Sequence, residues 1–246
     1  MAVNRERLDK LLVDRGLCAS RERARAMIMA AKVLVDDQVI DKAGTRVFCD
    51  VEIRLRGEDI PYVSRGGVKL AGALDNFAVN VENRVAIDVG ASTGGFSDCL
   101  LQRGVGRIYA VDVGYGQLAW KLRADERVVN IERTNIRDLT SADLDERPDL
   151  AVIDASFISL EKVLPPTLAM MQRPAEIIAL IKPQFEVGRG KVGKGGVVRD
   201  PNLHAEVIEK IKNAAIALGC EVENVCESSI TGPKGNREFL LYLRYQ

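Results

Sequence analysis

Apolar residues in the first 60 positions change their spacing along the chain, from helical to alternating. Three leucines at helical spacing predict a first helix over residues 5–15, which ends at Gly16. Ser20 is a suitable N-cap for a second helix, whose apolar side chains again recur at helical spacing. KVLVDDQVI then predicts an alternating strand with a polar turn at Asp36 and Asp37, and KAGTRV and VEIRL predict further short strands. Residues 1–60 are therefore predicted to form a small α+β domain.

From Lys69 onwards, the pattern changes to apolar strands that alternate with helices. The predicted strands cover residues 85–90, 107–113, 128–132, 150–155, 177–183, 221–230 and 238–244. The predicted helices start with one near Lys69 and continue at about 95–103, 117–123, 160–171 and 202–218. Such alternation is typical of a parallel sheet that is covered by helices on both faces.

The ends of this second region define the domain organisation. The short turn TGPKGN joins the last two strands, so the final strand is predicted to run antiparallel. The segment GEDIPYVSRGG contains proline and glycines that interrupt regular structure. We therefore expect a linker at residues 61–67 and an α/β domain with a Rossmann-like sheet at residues 68–246.

Positive charge is concentrated in two segments of a chain that is neutral overall. The 246 residues include 35 basic and 35 acidic side chains. Residues 1–35 contain eight lysines and arginines against four acids, and residues 182–199 contain five against one. Locally basic segments of this kind predict contacts with phosphate groups, as in a nucleic acid.

Residue types that are scarce in this chain restrict its chemistry. The five cysteines include no CxxC pair, so we expect reduced thiols in a cytoplasmic protein rather than disulfides. One histidine, His204, leaves few ligands for zinc, and no metal site is expected. No apolar run approaches the roughly 20 residues that a membrane helix needs, and MAVNRERLDKLL has no apolar signal core. Neither membrane insertion nor export is therefore expected.

A glycine-rich loop follows the first strand of the predicted α/β domain and leads into a helix. It reads Asp88-Val89-Gly90-Ala91-Ser92-Thr93-Gly94-Gly95-Phe96. Asp112 ends the second strand, where a carboxylate can accept both hydroxyl groups of a ribose. Dinucleotides and S-adenosylmethionine both fit such a loop, but G-x-G-x-x-G is lacking and the acid Asp88 disfavours a pyrophosphate. We therefore expect the cation S-adenosylmethionine; the alternative is a turn in which the glycine only packs.

Charged residues at the ends of apolar strands predict a reactive site beside this loop. Asp154 closes LAVID, Lys182 closes IIALIK and Glu238 opens EFLLYLR. In an open parallel sheet, ligands bind outside the carboxyl ends of the strands. An antiparallel last strand begins at that same edge, and Lys69 can reach it from the preceding helix. Two lysines and two carboxylates are therefore expected to face the cofactor.

These four side chains suit the activation of an alcohol such as a ribose hydroxyl. The hydroxyl becomes a good nucleophile when a base removes its proton. We expect Lys182 to be that base, with Lys69 lowering its pKa and with Asp154 and Glu238 orienting the two ammonium groups. The alternative is a pair of ordinary ion pairs at strand ends.

These motifs together resemble the TlyA/hemolysin A family of rRNA 2′-O-methyltransferases, whose C-terminal part is FtsJ-like. The resemblance covers essentially the whole chain and includes DVGASTGGFSDCLL and AVDVGYGQL. It implies a Rossmann-like methyltransferase sheet and 2′-O-methylation of ribosomal RNA, at cytidine, with S-adenosylmethionine as donor. The catalytic Lys-Asp-Lys-Glu order of the FtsJ-like enzymes falls on Lys69 in SRGGVKL, Asp154 in VIDASFISL, Lys182 in LIKPQFE and Glu238 in GNREFLLYL.

The N-terminal segment RLDKLLVDRGLCASRERA resembles the S-four RNA-binding domain, although Ala31 and Asp37 stand where that domain commonly has glycine. The resemblance implies ribosomal RNA or ribosomal subunits as partners. The expected RNA-binding residues are basic and come from both domains: Arg5, Arg7, Lys10, Arg21, Arg25, Lys32, Arg65, Arg189, Lys191 and Lys194.

Several other functions fit parts of the sequence. GRGKVGK nearly spells a phosphate-binding P-loop, but Gly195 follows it instead of serine or threonine. Methylation of a base amine typically needs [DN]-P-P-[FY], which Asp154-Ala155-Ser156-Phe157 does not match, and methylation at carbon 5 needs a cysteine such as Cys99. A non-catalytic ribosome assembly factor is the main alternative, and a membrane-active hemolysin is a further one.

Overall fold

The computed structural model describes residues 5–18, 20–56 and 60–246. The chain divides into two compact units, Met1–Ile60 and Pro61–Gln246. Residues 61–67, for which the sequence predicts a linker, belong to the second unit. Val63 is held there by its backbone N–H, which donates a 2.7 Å hydrogen bond to Asp98.

The first unit packs two helices against short strands. The helices are α1 (Leu8–Asp14) and α2 (Arg21–Met29), and the strands are β1 (Arg5–Arg7), β2 (Val33–Val35), β3 (Gln38–Ile40), β4 (Arg46–Phe48) and β5 (Ile53–Leu55). β1 pairs with β4, and β2 lies between β3 and β5. Leu8, Leu12 and Ile28 are fully buried between these elements, as the helical spacing predicts.

The start of the first helix differs from the prediction, and the end of the second helix is defined by the structure. Residues 5–7 are a strand rather than the start of α1, because they pair antiparallel with Arg46–Phe48. α2 ends at Met29, so Lys32 does not lie on the same helix as Arg21 and Arg25. Ala31 explains this end, because its φ of 56° is left-handed and cannot continue a right-handed helix.

The second unit is a seven-stranded sheet with helices on both faces. Its strands are β6 (Val85–Val89), β7 (Arg107–Val111), β8 (Val128–Ile131), β9 (Leu150–Ile153), β10 (Ala175–Ile181), β11 (Cys220–Glu227) and β12 (Phe239–Tyr245). Its helices are α3 (Gly66–Phe77), α4 (Gly95–Gln102), α5 (Trp120–Arg123), α6 (Leu160–Met170), α7 (Pro183–Glu186) and α8 (Pro201–Ala217). The predicted α/β class, with a small N-terminal α+β unit, is confirmed.

The strand order β11-β12-β10-β9-β6-β7-β8 creates a switch point in the sheet. From β6 the chain continues outward through β7 and β8, and then returns to β9 on the other side of β6. Neighbours from β8 to β10 are parallel, whereas β12 is antiparallel to β10 and β11, as predicted. A crevice opens at the carboxyl ends of strands where the order reverses, and ligands bind there.

Both faces of the sheet are covered by apolar side chains of the helices. Leu164 of α6 and Ile211 of α8 belong to the core on one face, and Leu70 of α3 and Leu100 of α4 belong to the core on the other. These four side chains are completely buried. Two-sided coverage explains why the strands read as nearly continuous apolar runs. Within the described residues, no helix combines the length and the apolar character that crossing a membrane requires.

Candidate functional site

The ends of β6 and β9 approach each other closely at the switch point. Gly90 follows β6 with a φ of +85°. A Cβ at this position would lie 2.8 Å from the carbonyl oxygen of Asp154, so only glycine allows the approach. Glycine is therefore required at position 90 for the close packing of the two strand ends. This packing places Asp154 beside the loop.

A cavity of about 420 Å³ opens next to this loop. Most residues of the predicted cofactor loop line it: Asp88, Gly90, Ala91, Ser92, Thr93, Gly95 and Phe96. Gly94 is not among the lining residues, and its φ of +94° turns the chain into α4 instead. The loop thus presents mainly backbone and short side chains to the cavity.

Asp88 is the most unusual acid of this cavity because it is completely buried. Its Oδ2 atom accepts hydrogen bonds from the Ser97 backbone N–H at 3.0 Å and from the Ser97 hydroxyl at 2.6 Å. Its Oδ1 atom has no hydrogen-bond partner among the described residues. Burial raises the pKa of Asp88 to about 7, although the Ser97 hydrogen bonds oppose the rise. A buried oxygen without a partner, on the wall of a cavity, is suited to a ligand with a cation or an N–H group.

The raised pKa of Asp88 predicts a stability that depends on pH. The folded protein holds this proton more tightly than the unfolded chain, so the contribution is complete below about pH 3.8 and is lost by about pH 7. Relative to Asp88→Asn, we expect the free energy of unfolding of the ligand-free protein to fall by about 1.4 kcal/mol per pH unit across this window. Urea unfolding of both proteins at a series of pH values measures the difference. Parallel curves for the two proteins would contradict the assignment.

Asp112, the other predicted cofactor acid, lines a second cavity of about 500 Å³. Its Oδ2 accepts the N–H of Ser92 at 2.8 Å and its Oδ1 accepts the N–H of Gly114 at 2.6 Å. These bonds fix the carboxylate and leave each oxygen with a further lone pair. Asp154 lines both cavities, which therefore adjoin at the end of β9.

The second cavity contains residues that the sequence did not single out. Asn135 and Ile136 follow β8, and Phe157 follows β9. Their position just beyond the carboxyl ends of strands was the available signal. Phe157 is 90% exposed, so it does not belong to a buried apolar run from which its position could have been predicted.

Lys69 and Glu238 form a buried ion pair on the rim of the first cavity. The Lys69 Nζ atom lies 2.5 Å from Glu238 Oε2, and the two side chains are 9% and 0% exposed. The Gln184 amide donates to the other carboxylate oxygen at 3.3 Å. A Cβ at Gly232 would overlap this carboxylate, so a side chain in the TGPKGN turn would displace Glu238 from its present position. Lys69 lines the cavity, whereas Glu238 does not line it and binds the Lys69 ammonium.

Lys182 and Asp154 form a second ion pair at the ends of the neighbouring parallel strands β10 and β9. The Lys182 Nζ atom lies 2.5 Å from Asp154 Oδ1. It also donates to the Ser156 hydroxyl at 2.8 Å. Lys182 and Asp154 both line the first cavity. The structure therefore brings the four charged residues to one edge of the sheet, as two pairs that each join a lysine to a carboxylate.

Ser156 and Gln184 are polar partners that the sequence analysis missed. Each lies two residues after a charged residue that was found, Ser156 after Asp154 and Gln184 after Lys182. Polar residues at this spacing beyond a strand end were the only sequence signal. They supply hydrogen bonds to the two ion pairs, and so they fix the geometry of the edge.

Most of the predicted RNA-binding residues of the first unit have partners within that unit. The Arg5 guanidinium lies 4.2 Å from the centre of the Phe48 ring. Lys10 pairs with Glu6 at 2.5 Å. Arg7, Arg21 and Arg25 converge on Asp9. Lys32 lies beyond the end of α2 and is only partly exposed.

The predicted RNA-binding residues of the second unit lie on the first cavity and in the GRGKVGK segment, residues 188–194. Arg65 lines the first cavity and donates to the Thr231 carbonyl oxygen at 2.5 Å. Lys191 pairs with Glu206 at 2.8 Å, and Lys194 is exposed. The side chain of Arg189 lies outside the described residues.

The GRGKVGK segment does not have the geometry of a P-loop. Residues Arg189–Lys191 form a 3₁₀ turn, and Gly193 then bridges to Val197. The next helix, α8, begins only at Pro201. A P-loop needs a helix directly after the lysine, whose N-terminus holds phosphate. The segment therefore resembles a nucleotide-binding loop in sequence but not in structure.

Cys99 is equally unsuited to the carbon-5 chemistry. The residue is completely buried in α4. Burial raises the pKa of its thiol to about 11, although Arg103 opposes the rise. A thiolate nucleophile requires a lowered pKa and access to substrate. Cys99 is therefore a core residue.

Comparisons with known proteins agree with this geometry. Residues 62–245 match the family described as FtsJ-like methyltransferase, and residues 6–47 match the S4 domain. A Bacillus subtilis (strain 168) protein, YqxC, which is provisionally named an rRNA methyltransferase, is 49% identical over 246 residues, 100% of this chain and 88% of its own length. The 16S/23S rRNA (cytidine-2'-O)-methyltransferase TlyA of Mycobacterium tuberculosis is 48% identical over 243 residues, 98% of this chain and 91% of its own.

A solved structure gives the same result for the fold. A protein from Streptococcus thermophilus, provisionally named a hemolysin, superposes with a TM-score of 0.78 at 42% identity. The match covers 100% of this chain and 90% of that one.

Proposed function

We propose, from the premise that this chain belongs to the FtsJ-like methyltransferase family, that it methylates ribose 2′-hydroxyl groups of ribosomal RNA. The observation that carries the proposal is the edge of the sheet where Lys69, Asp154 and Lys182 line one cavity with the glycine loop. The name of the Mycobacterium tuberculosis relative supports cytidine as the target nucleotide. Residues 1–60 would bind the RNA, and residues 68–246 would carry out the transfer.

The residues around both cavities fit S-adenosylmethionine as the methyl donor. When bound, the donor supplies an electrophilic methyl group on a positively charged sulfonium. The free Oδ1 of buried Asp88 suits the positive charge and the amino group of such a molecule. Asp112 would hold the ribose hydroxyls of the donor with its remaining lone pairs. Gly90, Ala91, Ser92, Thr93, Gly94, Gly95 and Phe96 would form the loop around it.

Lys182 is the residue that we assign as the base. Lys182 would first release the proton of its ammonium to solvent. Its amine form would then accept the proton of the 2′-hydroxyl, which makes the ribose oxygen a nucleophile toward the methyl group that the donor would supply. The products are a 2′-O-methyl ribose, a neutral sulfide and a Lys182 ammonium. Asp154, at 2.5 Å, would orient Lys182 and stabilise the ammonium as it forms.

Lys69 would contact the RNA substrate at the same edge of the sheet. Its ammonium lines the cavity and is fixed by Glu238. A fixed cation beside the reacting oxygen stabilises the negative charge that develops there. Glu238 does not line the cavity, so its contribution would be to position Lys69.

The match to the S4 domain supports an RNA contact through the first unit. The basic residues assigned to RNA binding are Arg5, Arg7, Lys10, Arg21, Arg25, Lys32, Arg65, Arg189, Lys191 and Lys194. A protein that modifies ribosomal RNA meets ribosomal subunits in the cytoplasm, and we propose that location.

The proposal is tested on ribosomal RNA from cells with and without this gene. A 2′-O-methyl group blocks alkaline cleavage of the adjoining phosphodiester, so each modified position gives a gap in the cleavage pattern. We expect at least one cytidine to lose its protection in the deletion strain and to regain it with the wild-type gene, but not with the Lys182→Ala gene. Identical cleavage patterns in all strains would refute methyl transfer. Rescue of ribosome assembly by both genes, without methylation, would identify an assembly factor.

A further inference from the structure

One buried carboxylate in the first unit accepts hydrogen bonds from three of the arginines to which we assign RNA binding. Asp9, in the first turn of α1, is completely buried. It accepts two hydrogen bonds from Arg7 at 3.0 Å and one each from Arg21 and Arg25 at 3.1 Å. The hydrogen bonds from Arg7 above all, and then those from Arg25 and Arg21, hold the pKa of Asp9 well below its usual range although burial opposes them. The carboxylate therefore stays ionised.

The three arginines reach Asp9 from different parts of the unit. Arg7 ends β1, whereas Arg21 and Arg25 lie one turn apart on α2. Their side chains remain 40%, 45% and 50% exposed, respectively. Each guanidinium has five N–H donors, so most donors of the three groups lie outside the four bonds to Asp9. The cluster thus combines an inner anion with an outer layer of donors and a net charge of +2, counted as three cations and one anion.

We infer that Asp9 is a positioning residue for RNA, which fixes Arg7, Arg21 and Arg25 as one surface that binds phosphate oxygens. This inference rests on the proposed function, which supplies RNA as the partner. A free arginine loses side-chain entropy when it binds, and a guanidinium that is already held loses less. The planar donors of arginine match phosphate oxygens in pairs when their orientation is fixed.

Simple electrostatics makes the opposite prediction, and this separates the two explanations. Removing a negative charge from a protein that binds RNA raises the net positive charge and should tighten binding. If Asp9 positions the arginines, its removal loosens binding despite the added positive charge. The sign of the change therefore identifies the role.

The first experiment compares Asp9→Asn with Asp14→Asn in the full chain. Asp14 lies on the same helix α1, is exposed and lies 3.9 Å from Lys10, so its replacement changes the charge equally without touching Asp9 or the three arginines that it holds. The dissociation constant for deproteinised ribosomal RNA is measured by filter binding at several salt concentrations. We expect Asp9→Asn to weaken binding about tenfold, since RNA must then immobilise free arginines. We expect Asp14→Asn to bind as tightly as the wild type or more tightly.

A second variant covers the case in which Asp9→Asn fails to fold. Arg21→Lys combined with Arg25→Lys keeps every charge on the exposed face of α2 but removes the planar donors. We expect the KM for RNA to rise about fivefold or more with kcat unchanged, because only the RNA contact is altered. A loss of folding would instead lower kcat and the urea midpoint together.

Each outcome decides the inference. Binding by Asp9→Asn that equals or exceeds that of Asp14→Asn would overturn it, and so would an unchanged KM in the double lysine variant. A wild-type protein that binds ribosomal RNA but transfers no methyl group would refute the proposed reaction, while the binding comparison would still test Asp9. Normal methyl transfer with unaltered binding in Asp9→Asn would refute the inference alone.

Discussion

Replacing Lys182 with alanine is expected to lower the rate of methyl transfer by about a hundredfold to ten-thousandfold, the range typical for loss of a general base. The dissociation constant for RNA should remain nearly unchanged, because the side chain of Lys182 is only 9% exposed and pairs with Asp154. Single-turnover transfer of a labelled methyl group to ribosomal RNA from the deletion strain measures the rate. Lys162→Ala, at an exposed position on α6, serves as the control and should keep the wild-type rate.

A second variant at the same position separates a base from a fixed cation. Lys182→Arg keeps the positive charge, but arginine remains protonated in proteins and cannot accept the proton. We expect its rate to be as low as that of Lys182→Ala. A rate close to that of the wild type would show that Lys182 acts through its charge, and the assignment as base would then be wrong.

Replacing Glu238 with alanine is expected to destabilise the fold by about 3–5 kcal/mol, because it leaves the ammonium of Lys69 buried without its carboxylate. The prediction depends on the burial of both partners, whose side chains are 9% and 0% exposed. Urea unfolding, followed by circular dichroism, measures the loss. A single variant as stable as the wild type would mean that water or Gln184 compensates the charge.

The matched variant replaces both partners with apolar residues of similar size. Lys69→Met combined with Glu238→Leu removes the two charges together, and such replacements are often neutral or stabilising. We expect this protein to regain most of the stability while methyl transfer stays low. Recovered stability with recovered transfer would show that the pair has only a structural role.

The sheet of the second unit could be predicted because its buried strands are recognisable in the sequence as runs of apolar residues. Residues 150–153 and 177–181 are short apolar runs, and a strand covered on both sides needs such runs. The charged residues that end them stood out for the same reason. The rule that ligands bind outside the carboxyl ends of parallel strands then placed Asp154 and Lys182 on one edge without knowledge of any distance.

Features that depend on contacts between distant segments could not be predicted in this way. Arg5–Arg7 has no pattern of its own, and it becomes a strand only by pairing with Arg46–Phe48. The division of four charged residues into the pairs Lys69–Glu238 and Lys182–Asp154 also needs coordinates. The sequence singled out the four charged residues, but only packing shows how they pair and that Ser156 and Gln184 bind to them.

The cluster around Asp9 shows the same limit for surface charge. From the sequence, Asp9 only lowers the net charge of a basic segment. In the structure its burial turns it into the shared partner of three cations. A count of charges therefore measures attraction to RNA, but it does not reveal which cations are held in place.

The position of β12 determines when the sheet of the second unit can be completed during synthesis. This strand is made after β10 and β11, yet it lies between them in the sheet. Until the ribosome has produced Phe239–Tyr245, the growing chain has a gap in the sheet and no Glu238 to hold Lys69. Folding of this unit must therefore wait for its last strand, with β10 and its completely buried isoleucines exposed at an edge that favours aggregation.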